Sequence, residues 1–342
     1  MTNHFRPHLL ASFAVMALCS AAAIAAPPQA QDQGKDAASR PLAWAYAVLE
    51  TPLPPPPPAD ATELKQIPGS TQSFTMKQIR DTGNPVDWFP GDHPAVPAIV
   101  AHRRSPGMNP WIGSCGLCHL MNGKGRPENA GVAGLPAGYI MEQLADFKNG
   151  ARKTADPGKK NTAVMSGNAA GITDEEARAA AEYFSSIKMT SWIKVVETAT
   201  VPKNHNVGGF YVPLEGNETE ALGQRILEMP VDPEAAEVYR NPRLGWIAYV
   251  PIGSVKKGED LVLRGGAGKT IACAACHGEG LKGNGNFPPL AGRSPSYFAR
   301  QLYDIQRYTR NGPGTQLMRP VVQNLNEDDI LAITAYLASL EP

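Results

Sequence analysis

Four cysteines and two histidines fall into one repeated pattern, Cys115-Gly116-Leu117-Cys118-His119 and Cys273-Ala274-Ala275-Cys276-His277. Two thiols three positions apart share one face of a helical turn. Each can form a thioether with one vinyl group of a haem, and the histidine beside them can then turn a ring nitrogen to the iron. The spacing C-x-x-C-H reads as covalent attachment of haem c. Two copies imply two covalently bound haems, held by Cys115, Cys118, His119, Cys273, Cys276 and His277.

Other chemistry fits these residues less well. A thioredoxin-like thiol pair belongs near a βαβ pattern, and the sequence shows none. A four-cysteine zinc site would have to join pairs 158 positions apart (273 − 115), much wider than a compact zinc module. It would also leave both trailing histidines without a role. Gly268-Lys269-Thr270 resembles the end of a phosphate loop, but Leu263 stands where the first glycine is required.

The two motifs belong to an internal repeat. At the offset of 158 that superposes His119 on His277, Ala133-Gly134 matches Ala291-Gly292, and Tyr139 matches Tyr297. Gln143-Leu144 then matches Gln301-Leu302, and Asp146 matches Asp304. Further on the offset becomes 153, and Ile172, Tyr183 and Ile187 match Leu325, Tyr336 and Leu340, so the second copy lacks five residues of an intervening loop. Ala177, Ala180, Phe184 and Ile187 line one helical face. Thr173 with Glu176, and Asn326 with Asp329, mark the starts of the final helices. Each half is thus expected to carry a helix at the motif, a helix from the tyrosine and a C-terminal helix.

The repeat also locates a sixth iron ligand. A methionine thioether is soft and raises the potential of a haem iron. Met165 and Met318 lie before the final helices, 46 and 41 residues beyond His119 and His277, and the difference is the same five-residue deletion. Both are expected to sit in loops and to ligate iron opposite His119 and His277. Met121, Met141 and Met189 are assigned to packing. His93, His102 and His205 are read as surface or locally bonded histidines.

The N-terminus has a different composition. After Arg6, residues Leu9 to Ala26 are almost all apolar or small, and Ala23-Ile24-Ala25 supplies small residues for cleavage. Residues 1–26 therefore read as a cleaved signal peptide leading to the periplasm, and Cys19 leaves with it. Residues 27–62, containing the proline run Pro52 to Pro58, read as a semi-rigid linker. The formal net charge is zero, which argues against nucleic acid as a partner. Membrane contact, if any, is peripheral.

On these residues each half resembles a class I cytochrome c domain, and the pair resembles the dihaem cytochrome c4 group. The features in common are C-x-x-C-H, Leu290-Ala291-Gly292, the Tyr/Gln-Leu helix, the methionine segment and the final tyrosine-containing helix. The likeness spans roughly 113–188 and 270–340. It implies a mainly α fold of two tandem cytochrome c domains with His/Met coordination, and a shuttle role in a periplasmic respiratory chain. It also implies a carbonyl that receives the second N–H of each proximal histidine. Pro288 matches that position in the second half. The first half has Ala130, from which a different orientation of His119, and so a difference between the haems, is expected.

The domains expected are 63–195, a first cytochrome c domain with an N-terminal extension, and 253–342, a second. Between them 196–252 forms a connecting segment with short strands such as Gly245 to Val250. The extension and the connector read as a clamp or haem cover, or else as a docking surface. The functional reading is one-electron transfer between a periplasmic dehydrogenase, such as a quinoprotein, and a terminal oxidase or another cytochrome, with no catalytic residues. The alternative is a dihaem enzyme, a peroxidase or a sulfur-compound oxidase, with one open haem site and His93 or His102 assisting. Paired methionine segments argue against it.

Overall fold

In the computed structural model of this chain, residues 1, 41–47, 62–102, 113–207 and 209–342 are described. Residues 2–26 of the expected signal peptide and residues 27–40, 48–61 and 103–112 of the linker and extension lie outside them, the proline run included.

Helices dominate the two halves and short strands the region between. In the first half the motif forms α3 (Cys115–His119), followed by α4 (Ala137–Asn149), α5 (Asn161–Gly171) and α6 (Asp174–Ser186). It is preceded by α1 (Met76–Ile79) and α2 (Ala98–Ala101). The second half holds α8 (Ser254–Arg264), α9 (Ala274–His277), α10 (Pro295–Gln306), α11 (Arg319–Val322) and α12 (Glu327–Ser339). The capping boxes read from sequence form: Thr173 accepts from the Glu176 amide and Asn326 from the Asp329 amide, each with the acidic side chain reaching back.

Hydrogen bonds recur at the offsets of the sequence repeat. The Gly134 amide donates to the Phe184 carbonyl at 2.9 Å, and the Gly292 amide to that of Leu337 at 2.9 Å. The Gly125 amide donates to the His119 carbonyl at 2.9 Å, and that of Gly283 to His277 at 2.8 Å. Sequence reading gave no warning of α8. This helix crosses α12 at Gly258, where a Cβ would stand 2.0 Å from the Ala332 carbonyl oxygen. Only glycine lets the two backbones approach so closely.

The connector is a packed part of the fold. Strand β9 (Trp246–Val250) pairs in parallel with β3 (Ile193–Glu197) and antiparallel with β8 (Leu227–Pro230). Strand β3 straddles the boundary expected at 195/196. Trp246, Ala248 and Val250 are buried alternately with the half-buried Ile247 and Tyr249, the period of a strand covered on one face. Trp246 and Phe210 enter the first-half core beside Phe184 and Ile187. Ile226, Ala248 and Val250 pack on Leu331 and Ala335 of α12.

One expectation is corrected. Residues 41–47, assigned to the semi-rigid linker, are embedded in the second half. Leu42, Ala45 and Tyr46 are buried among Leu261, Ala299 and Ile305. The Tyr46 hydroxyl donates to Asp304 Oδ1 at 2.6 Å, and Arg300 Nη1 donates to the Ala45 carbonyl at 2.6 Å. The short run of apolar and aromatic residues prevails over its proline-rich surroundings because it buries against the core.

Candidate functional site

Each motif is a single helical turn that must stop at once to free its histidine. The stop is a residue with positive φ, Gly278 (φ 78, ψ 174) in the second half and Leu120 (φ 60, ψ 161) in the first. That backbone region belongs almost wholly to glycine, so Leu120 holds about 1–3 kcal/mol of strain there. The chain then loops back under the ring. His119 Nδ1 lies 2.8 Å from the Ala130 carbonyl oxygen and His277 Nδ1 2.8 Å from that of Pro288. A carbonyl only accepts, so Nδ1 carries the proton and Nε2 keeps its lone pair.

The first-half histidine is therefore held as the second-half one is, and the different orientation expected from Ala130 does not arise. The contact is made by the main-chain oxygen, which alanine supplies as well as proline. Burial, partly offset by the bond to Ala130 or Pro288, lowers both imidazole pKa values and keeps the rings neutral.

Burial also pushes the Cys115 thiol up to about 12 and the Cys273 thiol up to about 11, with the partner cysteine adding to both. These sites favour an uncharged sulfur, which a thioether is. All four cysteines are unpaired. His277 Nε2 is buried with no hydrogen-bond partner, the state of a nitrogen aimed at an iron. Cys273, Leu290, Phe298, Leu302 and Met318 all pack, partly buried, against one apolar core cluster that includes Leu281. The residues present thus fit a haem. Among the described residues, no three His, Cys, Asp or Glu side chains converge as a metal cluster.

The methionine segments are helical, where loops were expected. Met165 lies within α5, and Met318 ends a 3₁₀ turn, Pro313–Met318. Both side chains are half-buried. Met121, Met141 and Met189 pack into the first-half core. His93 is occupied by Asp87 and the Pro94 carbonyl, and His102 by Asn84. His205 is half-buried on β5 (Asn204–Val207), its Nδ1 enclosed.

Sequence reading missed the groups that join the halves. Arg152 donates to its own half's Gln143 at 2.8 Å and across to Tyr297 and Gln301 at 2.9 Å each. Arg310 donates to its own half's Gln301 at 3.1 Å and across to Tyr139 at 2.8 Å and Gln143 at 2.9 Å. The main chains cross there too, the Lys153 amide to the Thr309 carbonyl and the Asn311 amide to the Ala151 carbonyl, both 2.7 Å. The two arginines stand 158 apart (310 − 152), so the repeat register held the signal.

Comparisons with known proteins find similarity to c-type cytochromes. Residues 261–337 match the family described as cytochrome c oxidase, cbb3-type, subunit III. A thiosulfate dehydrogenase electron acceptor from Thiomonas intermedia is 30% identical over 235 residues, 67% of this chain and 80% of that protein. Cytochrome c4 from Stutzerimonas stutzeri is 32% identical over 133 residues, 35% of this chain and 63% of that protein. The crystal structure of reduced recombinant cytochrome c4 from Pseudomonas stutzeri is 26% identical with a TM-score of 0.43, covering 67% of this chain and 94% of that one.

The molecule is an electron-transfer cytochrome whose cofactor is covalently bound haem c. It belongs to the cytochrome c4-like family of dihaem c-type cytochromes. Among the described residues no helix is long and apolar enough to cross a membrane.

Proposed function

We propose that this chain is a periplasmic carrier of single electrons, built of two tandem class I cytochrome c domains (63–195 and 253–342) joined by 196–252, and delivered by a signal peptide over 1–26. Cys115/Cys118 and Cys273/Cys276 would tether two haems, which His119 and Met165, and His277 and Met318, would ligate. A bound haem supplies a reversible ferric/ferrous couple. The protein's part is to hold each imidazole by its Nδ1–H, to offer a methionine thioether as the second ligand, and to exclude water. The observation that carries the reading is the pair of 2.8 Å histidine–carbonyl contacts at matching repeat positions, with a buried, unpartnered Nε2 on His277.

The donor is a dehydrogenase. This is supported by the relatives named as electron acceptors of thiosulfate dehydrogenase. A terminal oxidase or another cytochrome takes the electrons onward.

Mass spectrometry and the pyridine haemochromogen spectrum should give two haems per chain. Carbon monoxide added to the fully reduced protein should leave both haem spectra unchanged at neutral pH, and Met318→Ala should open one. Ready carbon monoxide binding by the unmodified protein would refute the methionine ligand at that haem and favour a substrate site.

A further inference from the structure

The two motifs sit in opposite surroundings. Taken at the offsets of the repeat, Ile271, Ala274, Ala275, Phe287 and Leu317 of the second half correspond to Gly113, Gly116, Leu117, Asn129 and Val164 of the first. All five second-half residues are exposed, Ile271 at 47%, Phe287 at 36% and Leu317 at 63%. All five first-half residues are buried or half-buried. Cys276 is exposed and Cys118 is not. The contrast is between equivalent positions of one chain in one state.

Its cause is the connector. Arg240 donates to the Leu117 carbonyl, inside the first motif. Asn122 Nδ2 donates to the Pro242 carbonyl at 2.8 Å, and Arg126 Nη1 to that of Ala236 at 3.2 Å. The extension clamps this cover from outside: Trp88 Nε1 donates to the Tyr239 carbonyl at 2.7 Å, and Arg243 pairs with Asp92 at 2.6 Å. Among the described residues the second motif has no counterpart to this cover. Ile271 lies two residues before Cys273, the Phe287 ring centre is 6.2 Å from that of His277, and Leu317 precedes Met318. These exposed apolar groups thus neighbour the second motif and Met318.

We infer that electrons enter and leave through the second haem alone, and that its apolar rim docks a redox protein whose own contact face is uncharged. The first haem is then a sealed relay, filled and emptied through the second. The partner's chemistry follows from the rim. Its exposed apolar residues are uncharged, Glu279 and Lys282 beside it are one of each sign, Lys257 and Lys269 share the single carboxylate of Asp329, and Arg319 beside Met318 is held by Asn311 and the Tyr308 ring. A rim whose own contact residues carry no charge recruits by apolar burial more than by electrostatic steering. The inference rests on the two-haem reading, which haem counting checks separately. A stoichiometry other than two would fail that reading before this one is reached.

The test is stopped-flow oxidation of the fully reduced dihaem protein by ferricyanide, an anion. Leu317→Lys and Ile271→Lys should each raise the second-order rate about threefold or more at low ionic strength, a gain that shrinks as salt screens the new charge. Val164→Lys, the first-half equivalent of Leu317→Lys, should change it by less than about 1.5-fold, until Arg240→Ala loosens the cover in the same chain. Redox titration of each variant checks that potentials are unmoved. Equal acceleration by Val164→Lys and Leu317→Lys, or none from both second-half variants, overturns the single port. The unmodified protein should exchange electrons with a blue-copper protein bearing an uncharged apolar face at a rate that varies less than about twofold across about 10–500 mM salt. A steep salt dependence there, or dimerisation in sedimentation velocity that Leu317→Lys abolishes, overturns the partner assigned to the rim.

Discussion

Replacing Arg310 by alanine should loosen the junction of the two halves more than its position near a surface turn suggests. The side chain is buried, at 7% exposure, and gives three hydrogen bonds, to Gln301, Tyr139 and Gln143. Gln143 and Gln301 would each retain Arg152, at 2.8 and 2.9 Å. The bond to the Tyr139 hydroxyl would be lost outright. A hydrogen bond to a charged group contributes about 1.5–3 kcal/mol, and removing the long stem leaves a void beside it. The expected loss is about 3 kcal/mol in urea or thermal unfolding. Arg152→Ala should cost a similar amount by symmetry. The double variant should cost clearly more than the sum, because either guanidinium alone still serves both glutamine oxygens and only the double loss leaves them buried without that donor. Tyr139→Phe, which deletes one bond and keeps the ring, should cost about 1 kcal/mol. A loss under about 1 kcal/mol for Arg310→Ala, or single costs that simply add, would refute the view that these arginines act as a shared brace.

Further expectations concern the second half. Gly258→Ala places a Cβ against the Ala332 carbonyl, forces α8 off α12, and should cost about 3 kcal/mol with loss of helical circular dichroism on mild heating. Asp329 is the clearest acid-sensitive group. Burial alone would raise its pKa, but the Lys269 ammonium, the Asn326 amide and the Lys257 ammonium hold it below the usual carboxylate value. A depressed folded-state pKa contributes stability that is complete above the ordinary aspartate range and is lost as pH falls through the folded value. Unfolding scans from pH 7 to about 3 should show Asp329→Asn losing its deficit relative to the parent in acid. Tyr46→Phe strips the 2.6 Å bond from Asp304 and should destabilise by about 1–2 kcal/mol, detected as easier release of residues 41–47 to limited proteolysis.

Local chemistry was legible in the sequence wherever it is fixed by short-range spacing. C-x-x-C-H names its cofactor because thioether and imidazole geometry need only one helical turn. The final helices could be read from their capping boxes and apolar faces, and the strand at 246–250 from its own residues, since caps and periodicity act within a few positions. The register of the repeat survived because each half buries the same set of backbone contacts.

What the sequence left open depends on long-range burial. A tight crossing at Gly258 is invisible until the partner helix is in place. Leu42, Ala45 and Tyr46 read as part of a linker because nothing nearby shows the pocket they fill. The brace of Arg152 and Arg310 joins side chains about 150 positions apart, as between Arg152 and Gln301. The carbonyl below His119 was misjudged because side-chain identity says little about where a main-chain oxygen points. Above all, the two identical motifs became unlike sites only through folding, when the connector was laid over Leu117 and left Ile271, Phe287 and Leu317 in solvent. Spacing along the chain determined what the protein binds. The tertiary packing of segments remote in sequence decided which of its two motifs faces the outside.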